Sequence, residues 1–231
     1  MDAMLSCDGI HKTFTYRVHR SLQDAIIRRS WPAEQRRVPV LEDIDLSVRP
    51  GEWVGIYGPN GCGKTTLLHI LAGVLPPDCG KVASAGSISI FAGLGVGFEV
   101  ELSADKNIYF HCLLHGSPLD RVSDLTERII AFAELEKHRD MPLKYYSSGM
   151  LLRLAFAAAA HMDADIYLLD EVLAVGDAVF QRRCEEHLNG LKAAGKTAVI
   201  VNHSLPHLRM FCDRVETIKD RRLGPLEHEG V

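Results

Sequence analysis

Gly58-Pro-Asn-Gly-Cys-Gly-Lys64-Thr65 is the stretch of this sequence that decides its fold. It matches G-x-x-x-x-G-K-[ST], the pattern of a loop that wraps its backbone around phosphate. The apolar run at 53–57 before it predicts a buried strand, and the apolar spacing at 66–72 after it predicts a helix. Because strand, glycine-rich loop and helix follow in the required order, we interpret residues 58–65 as a phosphate loop and not as an ordinary glycine-rich turn.

The chemistry of the phosphate loop follows from its residue types. Glycines let backbone N–H groups turn inward around phosphate oxygens, and the helix behind them points its positive end at the same place. Lys64 can reach the β- and γ-phosphates, and the Thr65 hydroxyl can bind Mg²⁺. Cys62 is either a spacer or a thiol made reactive by the positive helix end. The residues predicted to line the nucleotide are Gly58, Pro59, Asn60, Gly61, Cys62, Gly63, Lys64, Thr65 and Thr66.

The composition is that of an ordinary globular protein. The 231 residues are 47% hydrophobic and 24% charged, and the net charge of −4 predicts no general attraction to nucleic acid. The sequence contains no run of about 18 apolar residues that would predict a membrane-spanning helix, and it begins without the apolar core of a signal peptide. The six cysteines form no C-x-x-C pair, which favours free thiols in a reducing cytosol over disulfides or a zinc site.

Predicted strands and helices alternate along the chain. We expect strands at 5–14, 40–48, 53–57, 81–90 (interrupted at Gly86), 166–170 and 197–201. We expect helices at 66–72, in two parts of 104–136 divided near 116–118, at 150–162 and at 180–194. This alternation predicts an α/β fold with a mostly parallel sheet, whose ligand site lies at the carboxyl ends of the strands.

Three polar side chains come at the ends of predicted strands, and we expect them to lie near the phosphate loop. Asp170 and Glu171 end one strand, and His203 comes shortly after another. Thr65 and, through water, Asp170 can supply the few protein oxygens that Mg²⁺ takes. Glu171 can orient and deprotonate the attacking water, and His203 can hydrogen-bond the γ-phosphate. A lone histidine is often structural, so the pattern alone leaves the role of His203 open.

Two features near the start of the chain each allow two interpretations. Phe14 and Tyr16 can stack on adenine or pack against the sheet. Residues 21–29 predict a short helix bracketed by arginines, which can lie against anionic head groups or a membrane partner, or form a solvated surface helix. The arginines are Arg17, Arg20, Arg28, Arg29, Arg36 and Arg37.

The order and approximate spacing of these motifs resemble those of ATP-binding cassette (ABC) ATPases. Tyr146-Ser147-Ser148-Gly149-Met150 lies upstream of Asp170, where that family carries its signature motif, although the usual form is Leu-Ser-Gly-Gly-Gln. The stretches 94–98, 147–156 and 170–180 are similar to one branch in particular, the ATPase subunits of bacterial exporters of O-antigen, capsule or teichoic acid.

This resemblance implies a P-loop NTPase fold with a single ABC nucleotide-binding domain over residues 1–231. Residues 1–93 and 161–231 would form a RecA-like core with an antiparallel β subdomain, and residues 94–160 a helical subdomain. The implied activity is ATP hydrolysis that drives a lipid-linked polysaccharide across a membrane, with ATP and Mg²⁺ as ligands.

The resemblance also implies partners. Two copies would sandwich two ATP molecules, so that the signature motif of one copy faces the nucleotide held by Lys64 of the other, with Asp177 at the seam of the dimer. The homodimer would drive an integral membrane permease from the cytoplasmic face of the bacterial inner membrane, with residues 17–37 at the membrane surface and no nucleic acid bound. The signature residues facing the nucleotide would be Ser147, Ser148, Gly149 and Met150.

One family feature is missing from the chain. The family normally places a glutamine between the sheet core and the helical subdomain, where it contacts Mg²⁺ and senses the membrane partner. Leu94 falls at about that position, so the contact is either supplied by Glu99 or Glu101 or, as we expect, lost to water. Glutamine occurs only at positions 23, 35 and 181.

Two other functions are compatible with parts of this pattern. A soluble regulatory or nucleic-acid-associated ATPase of the same fold would need no membrane partner, but such proteins usually carry two cassettes or long coiled-coil arms. A P-loop kinase would need an acceptor site and would leave residues 147–149 without a role.

Overall fold

The computed structural model describes residues 3–18, 34–91, 97–170 and 177–226. Its strands are β1 (Leu5–Val18), β2 (Glu34–Val48), β3 (Trp53–Tyr57), β4 (Cys79–Ser84), β5 (Ile88–Phe91), β6 (Ile166–Asp170), β7 (Thr197–Asn202), β8 (Arg214–Lys219) and β9 (Arg222–Pro225). Its helices are α1 (Lys64–Leu71), α2 (Ala104–Leu114), α3 (Leu119–Ala133), α4 (Ser148–His161), α5 (Ala178–Ala193) and α6 (Leu205–Phe211), with a short 3-10 helix at Leu143–Tyr145.

The larger sheet carries the predicted parallel strands. Within the described residues it has six strands in the order β5-β6-β7-β3-β8-β9, of which the first five run parallel and β9 is antiparallel to β8. Its central strands are apolar runs because helices cover both faces. Val54 and Ile56 pack in one cluster with Leu67 of α1, whereas Trp53 packs in a second cluster with Phe180 of α5. The predicted α/β fold is therefore confirmed.

The carboxyl ends of three central strands lie level with one another. Tyr57 at the end of β3 is opposite Asn202 at the end of β7, and Asp170 at the end of β6 is opposite Val201. The residues that directly follow these strands therefore come together at one edge of the sheet, which is where a parallel α/β sheet holds its ligands.

The smaller sheet is antiparallel, in the order β2-β1-β4 within the described chain. β1 and β2 pair along their lengths as far as Val18 opposite Glu34, whereas β4 pairs with β1 only as far as His11. The expected strands at 5–14 and 40–48 are too short, because the two strands continue to pair after β4 has ended.

This continuation is a two-stranded ribbon, residues 13–18 paired with residues 34–39. Its first strand is rich in threonine, aromatic and β-branched residues, which suit a strand. Pro39 is tolerated because β2 is an edge strand, where a missing N–H breaks no central ladder. The predicted helix at 21–29 lies outside the described residues.

Helices α2, α3 and α4 enclose a third hydrophobic cluster. α2 and α3 are separated at residues 115–118, as expected. Leu154 and Ala157 of α4 belong to this cluster, whereas Phe156 and Ala159 pack against the large sheet, so the prediction of an extensively buried helix is confirmed. The subdomain boundaries near residues 94 and 160 stay a prediction.

Three elements near the end of the chain were not expected, namely α6, β8 and β9. α6 has seven residues and β9 has four, which is too short for a clear period of apolar residues. β8 carries charged side chains, and its Arg214 and Glu216 form an ion pair. Over the residues that the structure describes, we find no helix with the length and apolar character needed to cross a bilayer.

Candidate nucleotide-binding site

The phosphate loop joins the end of β3 to the start of α1, as the sequence predicts. Gly63, the residue before α1, has φ 107°, a value that a residue with a side chain rarely adopts. A Cβ at Gly63 would lie 2.9 Å from Leu41 Cδ2, and a Cβ at Gly58 would lie 2.6 Å from Cys62 Sγ. The left-handed backbone and close packing at Gly63 therefore favour glycine there, whereas a side chain at Gly58 would first have to displace the Cys62 thiol.

The start of α1 can accept an anion. Among the described residues, no side chain caps this helix, and its first turn contains no acidic residue. The backbone N–H groups at such a helix start lack partners within the helix, and the helix dipole adds positive potential. These are the properties of a phosphate-binding helix start.

Lys64 lies over the phosphate loop and is nearly buried. Its ammonium group donates to the carbonyl oxygens of Gly58, at 2.8 Å, and Pro59, at 3.0 Å. These bonds hold the positive charge inside the loop, where phosphate oxygens can replace the carbonyl oxygens as stronger, charge-assisted acceptors.

Thr65 and Asp170 are brought together although 105 residues separate them in the chain. The Thr65 hydroxyl donates to Asp170 Oδ2 at 2.7 Å, linking the first turn of α1 to the end of β6. A hydroxyl and a carboxylate are oxygen ligands of the kind that Mg²⁺ prefers, and Mg²⁺ on a nucleotide takes only one or two of them from the protein. Within the described residues there is no cluster of three or more metal-ligating His, Cys, Asp or Glu side chains.

The two residues proposed for catalysis are placed differently. Glu171 lies outside the described residues, as does Leu94 at the missing glutamine position. His203 is exposed directly after β7, at the same edge of the sheet as the phosphate loop. The turn that presents it is fixed by Asn202, which is buried and whose Oδ1 accepts from the N–H of Ser204 at 2.7 Å. Nothing in the sequence singles out Asn202 for this contact.

The turn at residues 147–149, which we call the signature turn, opens α4. Ser147 is its N-cap, and the Ser147 hydroxyl oxygen accepts from the N–H of Met150 at 3.2 Å. Ser147 and Ser148 are both exposed, and Tyr146 anchors the turn through its hydroxyl, which donates to His138 O at 2.8 Å. A Cβ at Gly149 would meet only Ser147 Oγ, at 3.9 Å. No packing within the described chain therefore requires a glycine at this position.

A cavity of about 510 Å³ lies in front of the signature turn. It is lined by Ser147, Ser148, Gly149 and Met150, and also by Asp177. Asp177 caps α5, since its Oδ1 accepts from the N–H groups of Val179, at 3.1 Å, and Phe180, at 3.0 Å. The N–H of Phe180, followed by the guanidinium of Arg153, holds the pKa of Asp177 below its usual range.

Phe14 and Tyr16 are both exposed, at 42% and 48% of their surfaces, so neither aromatic ring is buried in the sheet packing. Lys12 lies 5.8 Å from the centre of the Phe14 ring and is held by Pro76 O, at 2.7 Å, and Asp78 Oδ1, at 3.0 Å. The choice between the two rings as an adenine contact stays a prediction, as does the reactivity of Cys62, which is a partly exposed free thiol.

Comparisons with known proteins identify the family. A family model described as "ABC transporter" matches residues 41–174. The ABC transporter protein AbcA of Aeromonas salmonicida is 38% identical over 214 residues, which are 92% of this chain and 69% of that protein. The O-antigen export system ATP-binding protein RfbB of Klebsiella pneumoniae is 40% identical over 188 residues, 81% of this chain and 76% of that protein.

Other relatives are considerably longer than this chain. The teichoic acids export ATP-binding protein TagH of Listeria monocytogenes is 37% identical over 207 residues, which are 89% of this chain but only 62% of that protein. Among solved structures, the post-hydrolysis dimer of the ATP-binding cassette MJ0796 with ADP and Pi matches with a TM-score of 0.77 at 21% identity, over 97% of this chain and 99% of that one. This structural likeness shows a shared fold. The chain therefore belongs to the ABC transporter family, as one of its ATP-hydrolysing cassettes.

Proposed function

We propose that this chain is the ATPase subunit of an exporter that moves a lipid-linked polysaccharide across the bacterial cytoplasmic membrane. The proposal is supported by relatives named for O-antigen and teichoic acid export, whose matches span 81% and 89% of the chain. ATP would bind at the phosphate loop, and the observation that carries this assignment is the 2.7 Å contact between Thr65 and Asp170 beside the loop.

The phosphate loop and Lys64 would hold the triphosphate. The N–H groups at the start of α1 donate to phosphate oxygens, and Lys64 exchanges its carbonyl partners for the β- and γ-phosphates. Thr65 and Asp170 would hold Mg²⁺, which would neutralise negative charge on the phosphates when bound. Their hydroxyl–carboxylate pair fits this role because both groups offer oxygen and already lie within hydrogen-bonding distance.

Glu171 and His203 would act on the terminal phosphate. Glu171 directly follows Asp170, so a carboxylate at this position can orient a water molecule and accept its proton. His203, at the neighbouring strand end, would hydrogen-bond the γ-phosphate and keep the reacting groups aligned.

The signature turn would complete the site of a second copy in a head-to-tail homodimer. Its support is that the turn is exposed at a helix start, and that Gly149 leaves room for a close approach. Asp177 lines the same cavity and would lie at the seam of the two copies. The two ATP molecules would then be buried only when the copies close on them.

The ribbon would carry the chain to the membrane. It ends at Val18 and Glu34, between which lie three of the six arginines of segment 17–37, namely Arg20, Arg28 and Arg29. We propose that this segment contacts the anionic surface or the permease on the cytoplasmic face, which makes the chain a peripheral membrane subunit.

The experiment that tests the proposed function is co-purification with the membrane permease, followed by ATPase assays of the complex with candidate lipid-linked glycans. Stable co-purification and stimulation by one glycan are expected. A chain that purifies without any membrane protein and hydrolyses ATP at an unchanged rate with every glycan would instead favour the soluble regulatory ATPase.

A further inference from the structure

Glu134 binds two arginines from two different helices. It is the first residue after α3 and adopts a left-handed conformation, with φ 58°. One carboxylate oxygen accepts from Arg153 of α4 at 2.7 Å, and the other accepts from Arg183 of α5 at 2.6 Å. A single carboxylate thus connects the C-terminal end of α3 with α4 and α5.

Arg153 extends this connection to Asp177. Its second guanidinium nitrogen donates to Asp177 Oδ2 at 2.6 Å, and the guanidinium plane lies 5.0 Å from the centre of the Phe180 ring. Arg153 is only 19% exposed, so its charge is shielded from water on most sides. We call Glu134, Arg153, Asp177 and Arg183 the ion network.

The ion network differs from an ordinary surface ion pair. Exposed single pairs contribute little, because water screens them and two long side chains must be ordered for one contact. Here two carboxylates and two guanidinium groups share their contacts, and Arg183 also lies 5.0 Å from the Phe132 ring. Each of the four side chains therefore helps to fix the positions of the others.

The position of the ion network links the two segments predicted to meet the partner copy. Arg153 lies less than two turns beyond the signature turn on α4, and Asp177 follows Asp170 and Glu171 by only a few residues. Glu134, Arg153 and Asp177 line the cavity in front of the signature turn. A change in the contact between Arg153 and Asp177 would therefore alter how the turn and the seam residue are placed relative to each other.

We propose that Glu134 and Arg153 are positioning residues for ATP hydrolysis, which make the signature turn and Asp177 move as one unit when two copies close. The inference rests on the proposed dimer, in which the signature turn meets the partner's nucleotide. Neither side chain is required to touch the nucleotide. The ion network acts by fixing the geometry of the groups that do.

The test compares Glu134→Gln with a matched control, Glu127→Gln, in the full-length chain. Both glutamates belong to the α3 region, and Glu127 pairs with Arg139, which in turn contacts Asp105 of α2 and does not reach α5. We expect kcat to fall about tenfold in Glu134→Gln and to stay within about twofold in Glu127→Gln. Equilibrium binding of a fluorescent ATP analogue to the monomer and the unfolding midpoint should change little in either variant.

A second variant separates positioning from simple loss of stability. Arg153→Met keeps the apolar stem over Phe180 and removes the charge. If the ion network acts as a unit, the double variant Glu134→Gln/Arg153→Met will have about the same kcat as Arg153→Met alone. Each of three results would overturn the proposal. These are losses of kcat that multiply in the double variant, an equal loss of kcat in Glu127→Gln, and an unchanged kcat in Glu134→Gln.

Dimer formation is measured separately in a Glu171→Gln background by sedimentation with ATP. If Glu171→Gln forms dimers and added Glu134→Gln weakens them, the proposal is supported. If the dimers are equally stable and kcat of Glu134→Gln is unchanged, the ion network has no positioning role. If Glu171→Gln forms no dimer with ATP, the proposed dimer is wrong, and the inference falls with it.

Discussion

Two helices of this protein begin beside a glycine that the sequence predicts to lie near phosphate, and the space around the two glycines differs. At Gly63, before α1, a methyl group would collide with Leu41, and the backbone is left-handed. At Gly149, in the first turn of α4, the nearest atom to such a methyl would be 3.9 Å away. The first glycine is demanded by the chain's own packing, and the second is not.

The difference agrees with the proposed dimer, in which one phosphate site lies within a single chain and the other is completed by a partner. The phosphate loop already has its lysine and its Thr65–Asp170 contact in place. The signature turn instead presents exposed hydroxyls to an open cavity. Three substitutions and one change of pH test the difference between the two sites, and they are given from the largest expected effect to the smallest.

The largest effect is expected from Glu171→Gln, which would remove the proposed general base but leave both phosphate sites intact. Turnover should fall about a thousandfold, because a well-placed base contributes on this order. Nucleotide affinity should be retained, and an ATP-bound dimer should accumulate. Steady-state ATPase and sedimentation with ATP measure both effects, with Glu136→Gln at an exposed position as the charge-matched control. Normal turnover in Glu171→Gln would remove Glu171 from this role.

Gly149→Ala should affect the partner-dependent site alone. Alanine is the better helix former by about 1 kcal/mol, so the free energy of unfolding should stay constant or rise. Binding of nucleotide to the monomer should not change, whereas kcat should fall by about tenfold or more, since the methyl group would narrow the approach of the partner's phosphate. Denaturant titration, nucleotide titration and ATPase assays distinguish these quantities. Full turnover would mean that nothing approaches Gly149 closely.

Gly63→Ala should lower both stability and the nucleotide affinity of the monomer, unlike Gly149→Ala, because Gly63 belongs to the phosphate loop of the single chain. The positive φ and the clash with Leu41 predict a loss of about 1–3 kcal/mol in the free energy of unfolding. Nucleotide affinity of the monomer should fall about tenfold, equivalent to 1.4 kcal/mol. If Gly63→Ala and Gly149→Ala gave the same profile of stability and affinity, the contrast between the two glycines would be wrong.

The smallest effect is expected from lowering the pH, which should leave activity near neutral pH unchanged. At acid pH, the helices α2 and α4 should lose stability first. Burial lowers the pKa of His111 in α2 and of His161 in α4 to about 4. The unfolded chain, with imidazole pKa near 6.5, binds these protons more readily than the folded one. Stability is therefore full above about pH 6.5 and is lost as the pH falls towards 4, by at most about 3 kcal/mol for each group.

Denaturant titration between pH 7 and pH 4.5 measures this loss, and hydrogen exchange locates it. Amides of α2 and α4 should lose protection before those of α1. His111→Leu is the informative control, because it removes a histidine whose buried Nε2 has no hydrogen-bond partner among the described residues. This variant should show a shallower pH dependence. An equally steep dependence in His111→Leu would assign the acid sensitivity to other groups.

The two glycines also illustrate which features of the structure can be predicted from the sequence alone. The phosphate loop and its neighbouring strand and helix are local patterns, in which neighbouring residues specify both structure and chemistry. The strand ending in Asp170 was likewise predictable, because a continuous apolar run leads to two carboxylates. Their approach to Thr65 follows from the rule that parallel strands end at one edge.

What could not be predicted depends on contacts between distant residues. Glu134 and Arg183 are 49 positions apart, and each is an ordinary surface charge in the sequence. The residues of β1 up to Val18 alternate as a strand does, but where β1 ends depends on its pairing with β2, which the sequence of β1 alone does not specify. Asn202 acquires its role only because its side-chain oxygen closes the turn that contains His203.

The ribbon has a mechanical consequence. From residue 13 to Val18 it extends by five residues, roughly 17 Å at strand spacing, and within the described part of the chain no third strand pairs with it beyond His11. Phe14 and Tyr16 lie along this same lever, with their rings exposed. Any load applied at its far end is thus transmitted along continuous backbone to the two aromatic rings, without an intervening hinge loop.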